Sequence, residues 1–188
     1  TTAYPAGGST FDSDSDGWVV SGENCTLPLA LVCEGTGAHD SAVGNPAGSL
    51  GVDVNVIATL PLANVLTGGA TWTSPAFTVP GGEVIDGATF SYDRLFAPGG
   101  LLAVEPTSTV TVTLIDETTG VTTPLMTDVL TDENTAFASA SAPAPIVGGH
   151  TYRISLATGV AATLTLSILD PSETRFDNVA LTVQSSTP

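Results

Sequence analysis

Residues 108–116 read STVTVTLID, and their alternation is the pattern that decides the fold. Val110, Val112 and Leu114 fall on one side of an extended chain, with polar residues between them. Successive side chains of a β-strand point to opposite faces, so the stretch predicts a strand with one buried and one solvated face. The DETTG that follows, at 116–120, is typical of a hairpin connection to the next strand, VTTPLM.

The same period of two recurs along the chain, whereas no long stretch has the 3.6-residue period of a helix. Further strand patterns occur at 17–22, 49–57, 88–96, 151–158, 162–169 and 175–183. Eight to ten short strands separated by turns predict an all-β protein with a two-sheet antiparallel β-sandwich. We expect one domain at 9–184, an N-terminal tail at 1–8 and the start of a linker at 185–188. The chain reads as one module of a larger protein.

Two segments are less regular. Residues 34–49 are polar and glycine-rich, and are predicted to form a long loop. Residues 60–69 could hold a single helical turn, because Pro61 suits its start and Gly68 its end.

The charge of the chain restricts its partners. The 188 residues contain 19 Asp and Glu but only 3 Lys and Arg, a formal net charge of −16. A surface that binds phosphates needs clustered cations, so nucleic acid is excluded as a partner, and an anionic membrane surface is disfavoured. No apolar run approaches the ~20 residues of a membrane span. Cations are the natural partners of such a chain.

Cys25 and Cys33 are the two cysteines, and they enclose a short loop. Their spacing in a lysine-free chain rich in Thr, Ser and Gly favours a disulfide formed in an oxidising compartment. The alternative is a pair of buried free thiols. The spacing fits no four-ligand zinc site.

An ordered series of motifs runs through most of the chain. Its members are Phe11, Asp12, Gly17, Trp18, Val20 and Gly22; then Gly44, Pro46, Gly48, Ser49 and Leu50; then TWTSPAFTV at 71–79, GGHTYRISL at 148–156 and RFDNVAL at 175–181. The series resembles the galactose-binding-like carbohydrate-binding modules and the related laminin-IV-like and MAM-like surface domains. The resemblance implies a jelly-roll sandwich and a non-catalytic, secreted or cell-surface module. It also implies a polysaccharide or glycan as partner, beside other domains of the parent protein.

The same resemblance implies a structural calcium ion shared by Asp12 and Asp177. A second interpretation rests on the residues alone: Asp12, Asp14, Asp16, Gly17 and Glu23 fit the spacing of an EF-hand loop, with the Trp18 carbonyl as a further ligand. The flanks contain no helix-forming segment, which an EF-hand requires. A third interpretation is a solvated acidic turn without metal.

Trp72 and Tyr92 are candidate platforms for sugar stacking, although strand aromatics are buried by default, as expected here for Trp18, Phe77, Phe90 and Phe176. Arg94 either faces a ligand or, as we prefer, pairs with a nearby carboxylate. His39 lies in a predicted loop without a partner histidine nearby, and His150 lies in a predicted turn. A catalytic site needs a nucleophile, a base and an orienting group together, so no catalytic residue is expected. Two functional classes remain: a carbohydrate-binding module, and a structural or adhesive β-domain without a sugar site.

Overall fold

All regular structure is β-strand in the computed structural model, which describes residues 1–26, 33–56, 64–99, 102–166 and 171–188. The strands are β1 (Thr2–Ser9), β2 (Val19–Thr26), β3 (Cys33–Asp40), β4 (Ser49–Val56), β5 (Asn64–Thr73), β6 (Phe77–Thr78), β7 (Val84–Ala97), β8 (Leu102–Asp116), β9 (Val121–Leu130), β10 (Ala138–Pro143), β11 (Thr151–Leu166) and β12 (Ser172–Ser186). The predicted all-β class is confirmed. Within the described residues no helix is long and apolar enough to cross a membrane.

The strands form two six-stranded sheets. Sheet A runs β10-β7-β12-β4-β3, with β1 beside β12, and sheet B runs β2-β5-β11-β8-β9, with β6 beside β11. Every ladder is antiparallel. The two sheets enclose one core, which makes the molecule a β-sandwich of jelly-roll type.

The core follows from the alternation in the sequence. Val110, Val112 and Leu114 of β8 are buried, while the threonines between them stay half-exposed. Burial of such side chains on the inner face of each sheet removes apolar area from water and stabilises the sandwich. The four aromatic residues expected in the core are all there: Trp18, Phe77, Phe90 and Phe176.

Three segments differ from the prediction. Residues 2–9 form β1 rather than a tail, and Thr2 and Tyr4 of this strand lie opposite Val183 and Leu181 of β12. Residues 34–40 belong to β3, so the predicted long loop shrinks to 41–48. Residues 64–69 belong to β5 and contain no helical turn; residues 60–63 lie outside the described part of the chain.

The predicted disulfide is confirmed. Cys25 of β2 and Cys33 of β3 are bonded, with their Cα atoms 5.7 Å apart. Because β2 is an edge of sheet B and β3 an edge of sheet A, this bond closes one side of the sandwich. The backbone is equally close: a Cβ atom on Gly35 would lie 2.1 Å from the carbonyl oxygen of Asn24.

Candidate functional site

Asp177 of β12 is fully buried in sheet A, where the pairing of β12 with β4 ends and its ladder with β7 is irregular. Its Oδ2 accepts a hydrogen bond from the backbone amide of Asn45 at 2.5 Å, and its Oδ1 one from the amide of Asn178 at 2.7 Å. Burial raises the pKa of Asp177; the two amides partly oppose this, and the nearby carboxylates of Asp93 and Asp12 raise it further. The carboxylates of Asp93 and Asp12 therefore both act on Asp177.

Two loops meet over this carboxylate: the Asp loop, residues 10–18, and the 41–48 loop. Nε2 of His39 lies 2.7 Å from the carbonyl oxygen of Phe11. Gly48 has φ +116°, and a Cβ atom there would lie 2.3 Å from the same oxygen and 2.7 Å from Cα of Asp12. The loops are thus in direct backbone contact, and they bring Asp12 towards Asp177.

Backbone strain is concentrated at the same place. Within the described residues, the non-glycine residues with positive φ are Phe11 (54°), Asp16 (48°) and Asn178 (49°). Such conformations are rare for bulky residues and persist where surrounding contacts enforce them, often at functional sites.

Asp93 of β7 lies opposite Asp177 and belongs to a polar network that the sequence analysis missed. Its Oδ2 accepts from the side-chain amide of Asn178 at 2.9 Å, and its Oδ1 accepts from the hydroxyl of Ser139 at 2.5 Å. Asn178 Nδ2 also donates to the carbonyl of Asn45 at 2.7 Å. The FDN motif at 176–178 could have indicated this network, because it places the side-chain amide of Asn178 next to the carboxylate of Asp177 in the sequence.

The other acidic residues of the EF-hand pattern accept hydrogen bonds from backbone amides. Oδ1 of Asp14 accepts from the amide of Asp16, and Oδ2 of Asp16 accepts from the amide of Phe11, both at 2.8 Å, so these two carboxylates fix the turn. Glu23 lies in β2, and its Oε2 accepts from the amide of Gly37 at 3.0 Å. Trp18 is buried and its indole N–H donates to Ser9. Among the described residues no three His, Cys, Asp or Glu side chains are grouped as a metal site, either in this loop or around Asp177. Both calcium interpretations therefore stay predictions.

The predicted sugar platforms are core residues. Trp72 is 4% exposed and its indole N–H donates to the carbonyl of Gly51 at 3.0 Å, and Tyr92 is 1% exposed. Neither ring offers a face to a ligand, which corrects the stacking prediction. The alternation of the sequence could have indicated this burial, because Trp72 lies between Thr71 and Thr73, whose side chains point outward. The preferred ion pair of Arg94 is confirmed: its Nε lies 2.6 Å from Oδ2 of Asp128.

The outer face of sheet A is charged. Arg175, only 4% exposed, lies flat on it, with Nε 2.9 Å from Asp40 and NH1 2.5 Å from Asp53; Glu173 is 3.6 Å away. Sequence reasoning missed this group. The one residue that could have indicated this group is Gly51, because a Cβ atom there would lie 2.8 Å from the guanidinium of Arg175.

The outer face of sheet B is uncharged over its central strands. Residues 67–73 of β5, 107–113 of β8 and 155–161 of β11 contain no Asp, Glu, Lys or Arg. The outward side chains here are half-exposed, and most carry hydroxyls; we call them the hydroxyl face. Its members are Thr71, Thr73, Thr109, Thr111, Thr113 and Ser155. At one end a charged pair, Arg153 and Glu117, borders it.

No protein-family model matches the chain, and no curated protein matches it. Among solved structures, the chain is similar to carbohydrate-binding modules of the β-sandwich type. A module described by its promiscuous specificity has 13% identity and a TM-score of 0.49; the alignment covers 93% of this chain and 60% of that one. A family 28 module described as specific for non-crystalline cellulose has 12% identity and a TM-score of 0.48, covering 96% and 94%.

A third structure, a family 61 module in complex with β-1,4-galactotriose, has 9% identity and a TM-score of 0.46, covering 93% of this chain and 94% of that one. With TM-scores below 0.5 and identities of 13% or less, these likenesses carry no argument about this chain. The function has to be inferred from the residues of this chain.

Proposed function

We propose that this chain is a non-catalytic carbohydrate-binding-like module of a secreted or cell-surface protein. The observation that carries the proposal is the separation of charge between the two outer faces. A neutral glycan offers hydroxyl groups and no charge, so the hydroxyl face suits it as a complementary surface, whereas the outer face of sheet A is occupied by its own ion pairs. The disulfide supports an oxidising, extracellular compartment.

The non-catalytic part of the proposal is supported by the two histidines. Nε2 of His39 contacts the carbonyl of Phe11, and Nδ1 of His150 lies 2.8 Å from Asp116. Both imidazoles thus hold loops in place. Neither is paired in these contacts with a serine, threonine or cysteine nucleophile, which the common hydrolytic triads need.

Binding to a broad panel of neutral and acidic glycans, offered both as dissolved oligosaccharides and as insoluble polysaccharides, tests the function. We expect at least one neutral glycan to bind, with an affinity that high NaCl leaves unchanged, because the contacts would not depend on net charge. The absence of any neutral ligand, or binding that disappears when salt is added, would contradict the proposal.

The proposal includes a structural calcium ion held by Asp12 and Asp177. Three features of the chain fit it: the buried Asp177 with acidic neighbours, the strained residues around it, and Ser49, whose fully buried hydroxyl has no hydrogen-bond partner among the described residues. Each carboxylate oxygen has a second lone pair beyond its amide bond. Calcium takes 6–8 oxygen ligands, and backbone carbonyls and water would complete the set. The ion would neutralise charges that the fold otherwise brings together at a cost.

The calcium proposal is tested by thermal unfolding with calcium and with chelator, together with metal analysis of the purified protein. At 100 times its Kd, calcium would add ~2.7 kcal/mol to the free energy of unfolding. That corresponds to a rise in Tm of about 5–10 °C for a chain of this size. Asp12→Asn and Asp177→Asn should each remove the difference, whereas Glu23→Gln and the exposed Asp132→Asn should keep it. Loss of the difference in Glu23→Gln would instead support the EF-hand interpretation.

A structural or adhesive β-domain without a sugar site is the second candidate. The observation that favours it is the burial of Trp18, Trp72, Tyr92 and Tyr152, which leaves these rings unable to stack on a sugar. A glycan panel without any ligand, combined with calcium-dependent stability, would select this candidate.

A further inference from the structure

We propose that the hydroxyl face recognises the ordered surface of an insoluble neutral polysaccharide rather than a single dissolved chain. This inference rests on the proposed glycan binding and specifies the physical form of the ligand. It comes from the regularity of the face, from its lack of aromatic and charged groups, and from a depression where Gly69 pairs with Gly159.

The hydroxyl face is periodic in two directions. Ser155 pairs with Thr73 on one side and Thr113 on the other, and two residues along, Ala157 pairs with Thr71 and Thr111. Neighbouring strands lie ~4.7–4.9 Å apart, and residues two apart on a strand are ~6.6 Å apart. The outward groups therefore form a lattice. A crystalline polysaccharide presents its own hydroxyls as a lattice, whereas a dissolved chain presents one row.

The composition of the face favours many weak contacts over a few strong ones. Its only aromatic residue within residues 67–73, 107–113 and 155–161 is Trp72, which points into the core. A hydrogen bond to a sugar replaces one to water and gains little by itself. Affinity then has to come from many contacts made at once, which a solid surface allows. The β-branched threonines favour this because their χ1 rotamers are restricted before binding.

A depression of about 270 Å³ interrupts the lattice where Gly69 of β5 pairs with Gly159 of β11. Its floor is backbone, because neither residue has a side chain, and its lining includes Asn24, Thr67 and Thr158. The depression has room for a small group that projects from a polysaccharide surface, such as a hydroxymethyl group.

Charge decides between neutral and acidic polysaccharides. The chain carries a net charge of −16. The three segments of the hydroxyl face contain no Lys or Arg, and Arg153 lies just outside them at one end; the segments are residues 67–73, 107–113 and 155–161. An acidic polysaccharide would be repelled by the molecule without finding a cation on the face. The expected ligand is therefore neutral.

The test compares solid and dissolved forms of the same sugars. Microcrystalline cellulose and chitin are the solid probes, used in depletion assays at low and high NaCl, and cellohexaose and chitohexaose are the dissolved probes, used in calorimetry. We expect the protein to partition onto at least one solid independently of salt, with at least about tenfold weaker binding to the matching hexasaccharide.

Variants place the contact on the face. Thr71→Asp and Thr111→Asp introduce charge at its centre and should lower partition onto the solid at least about tenfold. Thr71→Val and Thr111→Val keep the shape, remove hydroxyls and should lower partition without loss of folding. Thr36→Asp, on an exposed position of β3 in sheet A, is the matched control and should bind like the wild type.

Four outcomes would overturn the inference. If the dissolved hexasaccharide binds as well as the solid, and the face variants abolish both, the face takes single chains. If the solid binds and the variants have no effect, the site lies elsewhere and the proposed glycan function survives. If neither form of any sugar binds, the proposed function fails as well. If Thr111→Asp abolishes self-association of the protein without any sugar binding, the face belongs to a second copy of the chain.

Discussion

At the scale of single residues, Asp128 joins the two sheets. It lies in β9 of sheet B and accepts from Nε of Arg94 at 2.6 Å and from the hydroxyl of Tyr92 at 2.8 Å, both in β7 of sheet A. The side chains of Arg94 and Asp128 are only 14% and 12% exposed. Burial, with Asp128 next in effect, raises the pKa of Tyr92 well above its usual range, so this hydroxyl stays a donor.

Asp128→Ala should lower the free energy of unfolding by about 3 kcal/mol, because it leaves a buried cation and a buried hydroxyl without their acceptor. Tyr92→Phe should cost about 1 kcal/mol. Urea denaturation measures both. The double variant Arg94→Met/Asp128→Leu removes both charges and should be closer to the wild type than Asp128→Ala; a double variant as unstable as the single one would contradict this account.

Asp40 makes stability depend on pH. Burial alone would raise its pKa, but hydrogen bonds from the Ala42 amide and from Arg175 outweigh it and hold the pKa below its usual value. A carboxyl whose pKa is lower in the folded state contributes stability above its unfolded pKa of ~3.9 and loses it as pH falls through the folded value.

Asp40→Asn should be less stable than the wild type at neutral pH. The difference between their free energies of unfolding, measured by urea at a series of pH values, should shrink as the pH falls from ~4. Equal slopes for the wild type and the variant would show that the contact with Arg175 does not stabilise the folded state.

At the scale of elements, the contact between the Asp loop and the 41–48 loop depends on Gly48. An alanine there would have to adopt φ +116° with its Cβ 2.3 Å from the Phe11 carbonyl, so the loops would have to separate. Gly48→Ala should lower the free energy of unfolding by at least about 2 kcal/mol and reduce the calcium-dependent part of the Tm.

Gly120 of the β8–β9 turn is the matched control. It also has a positive φ, +75°, but a Cβ there would meet nothing within 4 Å. Gly120→Ala should cost only about 1 kcal/mol and leave the response to calcium unchanged. Similar decreases in the free energy of unfolding for Gly48→Ala and Gly120→Ala would mean that the positive φ at Gly48, and not the contact between the two loops, causes the effect.

The elements that the sequence predicted are those with a buried face. The strand at 108–116 alternates strictly because every second residue enters the core, and that signal is local. β1 and β3 were missed because their composition is glycine-rich and polar. The pairing of β1 is in addition set by β12, a partner far along the chain, whereas β3 pairs with the next strand, β4. The candidate site was likewise only partly predictable from the sequence. The pairing of Asp12 with Asp177 remains a prediction, while the turn-forming bonds of Asp14 and Asp16 depend on loop geometry that spacing does not encode.

At the scale of the whole molecule, charge opposes folding. The net charge of −16 repels itself most strongly in the compact state, and the acids of the outer face of sheet A are offset only by Arg175. The free energy of unfolding should rise when NaCl increases from ~10 to ~500 mM, because screening shortens the Debye length. KCl should act equally. A decrease with salt would mean that the ion pairs outweigh the net repulsion.

The pairing of β1 with β12 has a mechanical consequence. Thr2 lies opposite Val183, Tyr4 opposite Leu181 and Ser9 opposite Val179, so the two strands run antiparallel with Thr2 and Val183 at the same end. A force that pulls these two residues apart would load the ladder one pair at a time, and β1 would peel away at low force. Peeling then reaches the Asp loop, where Gly48 and the proposed calcium ion hold the chain. In a single-molecule pulling experiment, calcium should leave the first yielding event unchanged and raise the force of the second, so that the site acts as a mechanical stop for the body of the sandwich.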